Sequence, residues 1–520
     1  MTRKLTYYLT SIILLTAVAV NGQGLSDAVR LSEHHIQGSA RGASMGNAFG
    51  ALGGDITSLS INPAGLGVYR ASDASFTLAV GETGSTVDYL GSKSRKGDFR
   101  MTMPSASYIA ALPSTNSGAL VGLNFGFGMT QMNDFRIKRV AQASNATSSM
   151  LDLFVNNANL GQAYISSFYE ALAMDLWDAN DNQETLIYNS YINDNGDNVQ
   201  LDGYHHDMFE NTINWVNKPH HQKKNFTEKG YDNEVTFSMG LNFNHRFYAG
   251  LTFGVHDLYY ESTTWLFETD DNGIIDYFND YSFQSHLRTY GTAYNLKLGM
   301  IFKPINALRL GIAFHTPTWY KLSDSYDNYM DASFDYDPQN IFWNQSPIGE
   351  YDYNFRTPSK GIFSAAYVGN WGLVSIDCEL LNYGNSRFSD DGGYLDSSNR
   401  DISEALRTAC NIHVGSEFLL PASISARIGL EYYGSPYKSE AYGLTQLNKD
   451  AKTFVYAAGL GWKSGIGLYV DFAFRTTQKT YYANLYDVPV DALNELNYSN
   501  PAAKFKDFQN MGVLTLGFRF

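Results

Sequence analysis

Charge is scarce in this sequence, and so are proline and cysteine. Charged residues make up 17% of the 520 positions, below the roughly 25% of soluble domains. There are 13 prolines and two cysteines. Outside Leu5–Val20, no run approaches the about 20 apolar residues of a transmembrane helix. Acidic residues outnumber basic ones, for a formal net charge of −15. Phosphate binding needs a basic face, so nucleic acid is not an expected partner. No His-Glu-x-x-His pair and no Walker loop occurs, and the enzyme classes that depend on them drop out. The Cys/His spacing of a structural zinc site is missing too, and no cysteine stands where a leader would end with a lipid anchor.

What is present is aromatic and periodic. Tyr (37) and Phe (32) are abundant. Residues 1–22 read as a signal peptide: Arg3 and Lys4, an apolar core from Leu5 to Val20, and small residues Val20 and Gly22 before Gln23. From residue 73 onward, apolar and polar residues alternate in runs that suit a tilted strand crossing a bilayer. The runs are 73–82, 101–112, 118–130, 233–244, 247–258, 287–302 and 307–316, then 358–369, 371–382, 406–419, 422–433, 453–463, 466–475 and 509–520. Fourteen is even, as a closed antiparallel barrel with both ends on one side requires. Short connections alternate with long ones, the pattern of periplasmic turns and external loops. Strand 466–475 shows the two faces: Ile466, Leu468, Val470, Phe472 and Phe474 oppose Gly467, Tyr469, Asp471, Ala473 and Arg475. Pro104 removes a ladder donor and predicts a local break in its strand. The expected fold is therefore all-β: a fourteen-stranded transmembrane barrel over 73–520, with a lumen wide enough to need filling. Residues 23–72 are the candidate plug.

That segment contains Gly38 to Leu66, rich in Gly, Ala and Ser, and ends in Asn62, Pro63 and Ala64. Ala43–Leu52 is expected to form a short helix, weakened by Gly46 and Gly50, and Asp55 to cap a second turn through Leu59. A Gly/Ala-rich stretch closing on Asn-Pro-Ala after a leader resembles the N-terminal hatch of the FadL/TodX-type outer-membrane transporters of hydrophobic compounds. The terminal Phe520 likewise resembles the carboxy-terminal signal of outer-membrane barrels. The resemblance implies a multi-pass outer-membrane barrel with both termini periplasmic. It implies passive uptake of a hydrophobic small molecule, a long-chain fatty acid or an aromatic compound, with no cofactor. The surroundings would be outer-membrane lipid and lipopolysaccharide, reached through the barrel-assembly machinery, for a chain read as a monomer. In this reading Asn62 and Pro63 fix the hinge and direction of the hatch, with Gly46 and Gly50 in its tight parts.

The connection 131–232 is long and reads as a partly helical external loop. Over Thr147–Trp177 apolar residues recur at three- and four-residue steps. Leu151, Phe154, Ile165, Phe168 and Leu172 are then candidates for the first landing site of a greasy ligand, or the stripe simply packs on the other loops. Inward-directed charges, namely Arg309, Asp377, Glu379, Glu417, Arg427, Glu431, Asp471 and Arg475, form a mixed-sign set suited to holding the plug through charge-assisted hydrogen bonds, and no catalytic residue is assigned. Three adjacent histidine pairs, His34-His35, His205-His206 and His220-His221, raise haem or metal uptake as an alternative. Neighbours on an extended segment point apart, so each pair chelates poorly, and no metal ligand is assigned. A surface-protein shuttle of a secretion system is the other alternative, as some relatives of this barrel type imply. Cys378 and Cys410 fall on neighbouring strands and the same outward face, as a cross-strand disulfide or as two small lipid-facing residues.

Overall fold

A computed structural model describes residues 24–113, 118–192, 195–211, 216–439, 447–486 and 501–520. The leader at 1–22 lies outside the described residues. The barrel strands are β1 (Asp73–Tyr89), β2 (Ser92–Pro113), β3 (Leu120–Asp134, continued as Ile137–Ala146), β4 (His220–Phe243), β5 (Phe247–Thr269), β6 (Asp280–Phe302) and β7 (Leu308–His315, continued as Trp319–Phe334). They continue with β8 (Gly349–Arg356, then Lys360–Gly369), β9 (Gly372–Asn382), β10 (Thr408–Leu420), β11 (Ile424–Tyr433), β12 (Lys452–Lys463), β13 (Leu468–Ala483) and β14 (Ala503–Arg519). Each pairs antiparallel with its sequence neighbours. The ladder between β1 and β14 runs from Asp73↔Arg519 to Asp88↔Lys504 and closes the ring. This is the fourteen-stranded barrel that the alternation predicts.

The faces follow the period of two. On β13, Leu468, Phe472 and Phe474 are exposed on the outer wall while Asp471 and Arg475 are buried inside. Around the ring the outer wall between the short turns and the row Tyr231–Tyr259–Tyr290 is apolar, including Phe237, Phe253, Leu298 and Ile312. A closed ladder leaves no unpaired edge, which is the condition for lying in hydrocarbon. The short turns, the start of β1 and the end of β14 share one end of the barrel. Asn244 and His245 make one such turn with φ of 52° and 56°.

Four features depart from expectation. The strands run well past the apolar belt: β4 starts at His220, not 233. The stretch 83–100, expected as a loop, is the tip of a β1–β2 hairpin that turns at Leu90-Gly91. Beyond the tyrosine row the outward positions turn largely polar, as with Lys229, Thr227 and Asn225 on β4. The hydrophobic alternation stops there, but the hydrogen-bond ladder does not. Third, 147–177 is not one helix. Helix Met150–Leu160, capped by Ser149, ends at Gly161 with φ 122°, a conformation a helix cannot continue through. Fourth, the Ala43–Leu52 helix is displaced to Ala40–Ser44, because Gly46 at φ 58° turns the chain away.

Two breaks interrupt the wall. Pro104 sits at an irregularity in the β1–β2 ladder between Thr77 and Ala79, and β2 pairs with β3 only below Ser105↔Thr130. Above that level β2 and β3 part. On the other side, β7 and β8 break side by side at Thr316-Pro317-Thr318 and Thr357-Pro358-Ser359. The ladders resume with His315↔Lys360 below and Trp319↔Arg356 above, so two residues without an N–H face each other.

Candidate functional site

The interior is occupied by residues 24–72, built from α1 (Leu25–Ser32), α2 (Ala40–Ser44), α3 (Thr57–Ile61) and a 3₁₀ turn at Pro63–Val68. The elements are short because small residues give little side-chain burial of their own. Local caps hold them. The Ser39 hydroxyl accepts the Gly42 N–H at 2.9 Å and donates to Asp55 at 2.7 Å, and Asp55 accepts the Thr57 N–H at 2.9 Å.

Asn62 joins the segment to the wall. Its Oδ1 accepts the Ala64 N–H at 3.1 Å, while Nδ2 donates to Gly50 O at 2.6 Å and to the wall carbonyls of Met300 and Ile312 at 3.2 and 3.4 Å. Pro63 starts the following 3₁₀ turn, where its missing N–H costs nothing. The close fit is possible because the wall is notched with glycine. A Cβ on Gly299 would lie 1.9 Å from Asn62 Oδ1. One on Gly250 would lie 2.2 Å from Pro63, one on Gly311 2.2 Å from Gly50 O, and one on Gly429 2.1 Å from Gly46 N. Gly50 itself leaves room only for Ser364, at 1.9 Å. Nothing in the alternation singled out these wall glycines. An inward glycine recurring on strand after strand was the available signal.

The inward charges converge on the same segment. Glu417 binds Arg41 at 3.0 Å and Arg427 at 2.6 Å, and Arg427 continues to Asp471 at 2.5 Å. Arg475 pairs with Glu431 at 3.0 Å, and Glu431 accepts from Asn47 at 3.1 Å. Asp377 accepts the Gly50 N–H at 2.8 Å, and Arg309 donates to Leu52 O at 2.6 Å. Glu379 pairs with Lys360 at 2.9 Å and does not touch the segment. A second buried network on β4, β5 and β6 was not singled out from the sequence. His256 binds Asp232 at 2.8 Å, and Lys297 binds Glu234, which also accepts from Ser60 at 3.0 Å. Each of these residues occupies an inward position, so strand parity would have found them. Between this network and His34 and His315 lies a cavity with about 20 Å³ of free space, room for water only.

The histidine pairs are split among carboxylates. His34 faces Asp232 at 3.7 Å, His206 binds Asp152 at 2.9 Å, and His221 binds Asp271 at 3.0 Å. Among the described residues no group of three His, Cys, Asp or Glu is arranged to hold a metal. Burial drives the His34 imidazole down to about 3 against the pull of Asp232. Burial pushes the Glu33 carboxyl up, but Lys479 at 2.6 Å and His35 outweigh it and hold the acid well below the usual carboxylate range. Gly42-Ala43-Ser44-Met45-Gly46 has the spacing of a nucleophile elbow, yet Ser44 lies on α2 and donates to Arg41 O at 2.9 Å, with no strand leading into it.

The landing residues need correction. Leu151, Phe154 and Leu172 are fully buried in an apolar cluster with Tyr281, Phe283 and Phe505, so they offer no surface. A helical stripe shows that a face is covered but not by what. Ile165 and Phe168 are half-buried, and Phe168 packs on Tyr326 at 5.1 Å. Exposed rings of this cap include Tyr164, Tyr191, Trp177 and Trp343; the two tryptophans pair across strands, with Tyr329 stacked beside Trp343. Cys378 and Cys410 sit diagonally on β9 and β10 with sulfurs 3.1 Å apart.

No family model matches the chain, and no curated protein does. Solved structures do. A Pseudomonas aeruginosa FadL homologue superposes with a TM-score of 0.52 at 12% identity, covering 94% of this chain and 99% of its own. The toluene transporters TodX of Pseudomonas putida and TbuX of Ralstonia pickettii give 0.47 and 0.46 at 10% and 11% identity, covering 93% of this chain and 98% of each. The class defined by the ring of strands is the large outer-membrane-type barrel. Within it, the chain has the FadL-type fold.

Proposed function

We propose that this chain is an outer-membrane channel that admits hydrophobic small molecules by diffusion, with residues 23–72 as its hatch, and that it is not an enzyme. The observation that carries the reading is a lumen closed by a docked segment whose outer end rests on a greasy wall. Val29 and Leu31 of α1 pack against Tyr320 and Leu322 of β7, Phe355 of β8 and Leu381 of β9. Below that level small apolar clusters around Phe49 and Leu59 are interleaved with hydrogen bonds and ion pairs, which exchange with water more readily than an apolar core does. A greasy solute settles against the outer end, reached by way of exposed rings such as Trp177 and Trp343. A shift of the hatch about Asn62 and Pro63 then opens a path. The break in the β2–β3 ladder, bridged by Thr102 to Gln131 and by the buried Arg100–Asp134 pair, offers a sideways exit once those side chains move. Short turns and termini face the periplasm in this orientation.

The test is uptake of labelled long-chain fatty acid and of a labelled monoaromatic hydrocarbon, in cells with and without the protein. Asn62→Ala and Pro63→Ala should lower uptake of whichever ligand is carried, while the purified variants keep the heat-modifiable gel migration of a folded barrel. Wild-type uptake in both variants would sink the hatch reading. No uptake of either compound class by the wild-type protein would sink the channel reading.

A further inference from the structure

The loop end of the barrel carries a concavity of about 650 Å³ on its outer wall. Its floor is β3, β4 and β5, and the hairpin tip of β1 and β2 overhangs it where β2 has left its ladder with β3. The Ser94 hydroxyl donates to Val140 O and pins the overhang. The chain as a whole is acidic, at −15, yet among the described residues this cavity is lined by Arg95, Lys96, Lys138, Arg139 and Lys223 and by no Asp or Glu. Arg139 is committed inward, to Asp507 at 2.8 Å and Glu228 at 2.6 Å. Among the described residues Lys138 pairs with exposed Asp98 at 3.0 Å and Arg95 with exposed Glu82 at 3.7 Å, pairs of little strength in water, and the Arg95 guanidinium also lies over the Phe508 ring at 4.8 Å. Among the described residues Lys96 and Lys223 have no ion pair. Trp265 lies in the floor, backed by Phe267 at 5.7 Å.

We infer that this concavity binds the acidic saccharide headgroup of an outer-leaflet glycolipid. Lysines and arginine hold its phosphate or carboxylate groups by charge-assisted hydrogen bonds, and Trp265 offers a ring face to a sugar. Position selects this partner over a soluble anion. Asn225 pairs with Trp265, six residues beyond the row Tyr231–Tyr259 that ends the apolar belt, or about 20 Å along the strand. The cavity opens sideways, above the lipid and away from the mouth of the lumen. A headgroup tethered in the membrane therefore reaches it directly. The cations also add up at such a surface, by about a fivefold gain in affinity for each. The inference rests on the outer-membrane orientation proposed above but not on the identity of any transported solute.

The probes are lipid A carrying a phosphorylated inner core and the same glycolipid after dephosphorylation. They are titrated against the full-length detergent-solubilised barrel and followed by native mass spectrometry. Dephosphorylation and the double change Lys96→Glu with Lys223→Glu should each weaken binding about tenfold or more, and raised salt should do the same. Trp265→Ala should weaken it severalfold, with heat-modifiable migration unchanged in every variant. Equal binding of the two glycolipids, or undiminished binding by the charge-reversed barrel, overturns the site. Orientation is read separately, by labelling Lys96→Cys in intact cells with a membrane-impermeant maleimide. Labelling together with charge-dependent binding supports the inference. A protected Cys at that position overturns the orientation and the inference with it.

Discussion

The N-terminal segment and the loop-end cap both lie against the inside of one barrel, and they are held in different proportions by polar and apolar contacts. The segment buries Met45, Phe49, Leu52, Ile56 and Leu59 in several small clusters, but polar contacts fix its register. It is tied by Asn62, by Arg41 to Glu417 and by Gly50 to Asp377, and it fits because the wall has glycine where it passes. The cap is tied by one apolar cluster that gathers Phe154 and Leu172 with Tyr89 of β1, Phe283 of β6 and Phe505 of β14. Burial of that kind is non-directional and tolerates small shifts, whereas the segment's bonds hold in one register only. The lesson is that one fold can hold two insertions with different release conditions. Steric change or protonation frees the segment; loss of apolar volume frees the cap.

The largest effect should come from filling a notch. Gly299→Leu places a side chain where the Asn62 amide and the Pro63 ring now sit, and that amide is fixed by its own hydrogen bonds to Gly50 O and the wall. The segment should fail to dock in most molecules, and the barrel should conduct in planar bilayers where the wild type is closed. The lipid-facing neighbour Met300→Leu should conduct like wild type. A closed Gly299→Leu barrel would erase the distinction, because the segment would then have slack the notches deny it. Next in size is Phe154→Ala, which removes a fully buried ring from the cap cluster. It should cost the cap about 3–5 kcal/mol. Limited proteolysis should cut within 147–177 much faster, while conductance stays at the closed level. Opening of the channel by this change would mean the two insertions are coupled.

How far the sequence reaches follows the same division. The wall was legible because lipid on one side and charge on the other impose a strict period of two, as in Leu468 to Arg475. Inward charge was legible by the same parity, so Arg427 and Asp471 could be named without their partners. Asn62 was legible through its motif. The glycine notches were not, since a glycine in a strand reads as weakness until the opposing chain is known. Phe154 was misjudged because a helical stripe does not say whether solvent or Phe283 covers it. The polar upper strands were missed for a third reason: their ladder survives where side-chain alternation carries no hydrophobic signal.

The smallest effect expected is a pH slope confined to the segment. Buried His34 titrates at about 3 when docked and near 6.5 once the segment is released into water. The docked state then binds fewer protons, so docking weakens as pH falls below the released value and goes on weakening toward the docked one. Between pH 7 and pH 5 the loss is about 2 kcal/mol. Glu33 adds nothing in that window, because it is ionised in both states above pH 5. Hydrogen exchange of α1 amides, corrected for the intrinsic pH dependence, should therefore speed up roughly thirtyfold between pH 7 and pH 5, and His34→Asn should abolish the slope. The amides of Phe154–Ala158 supply the contrast, since Leu151, Phe154 and Val155 lie in the apolar cluster and the Asp152–His206 pair is confined to the start of that helix. Should α1 and the cap helix respond alike, the segment would not be released by His34. Its ion pairs with the wall, broken together, would then have to be the step that frees it.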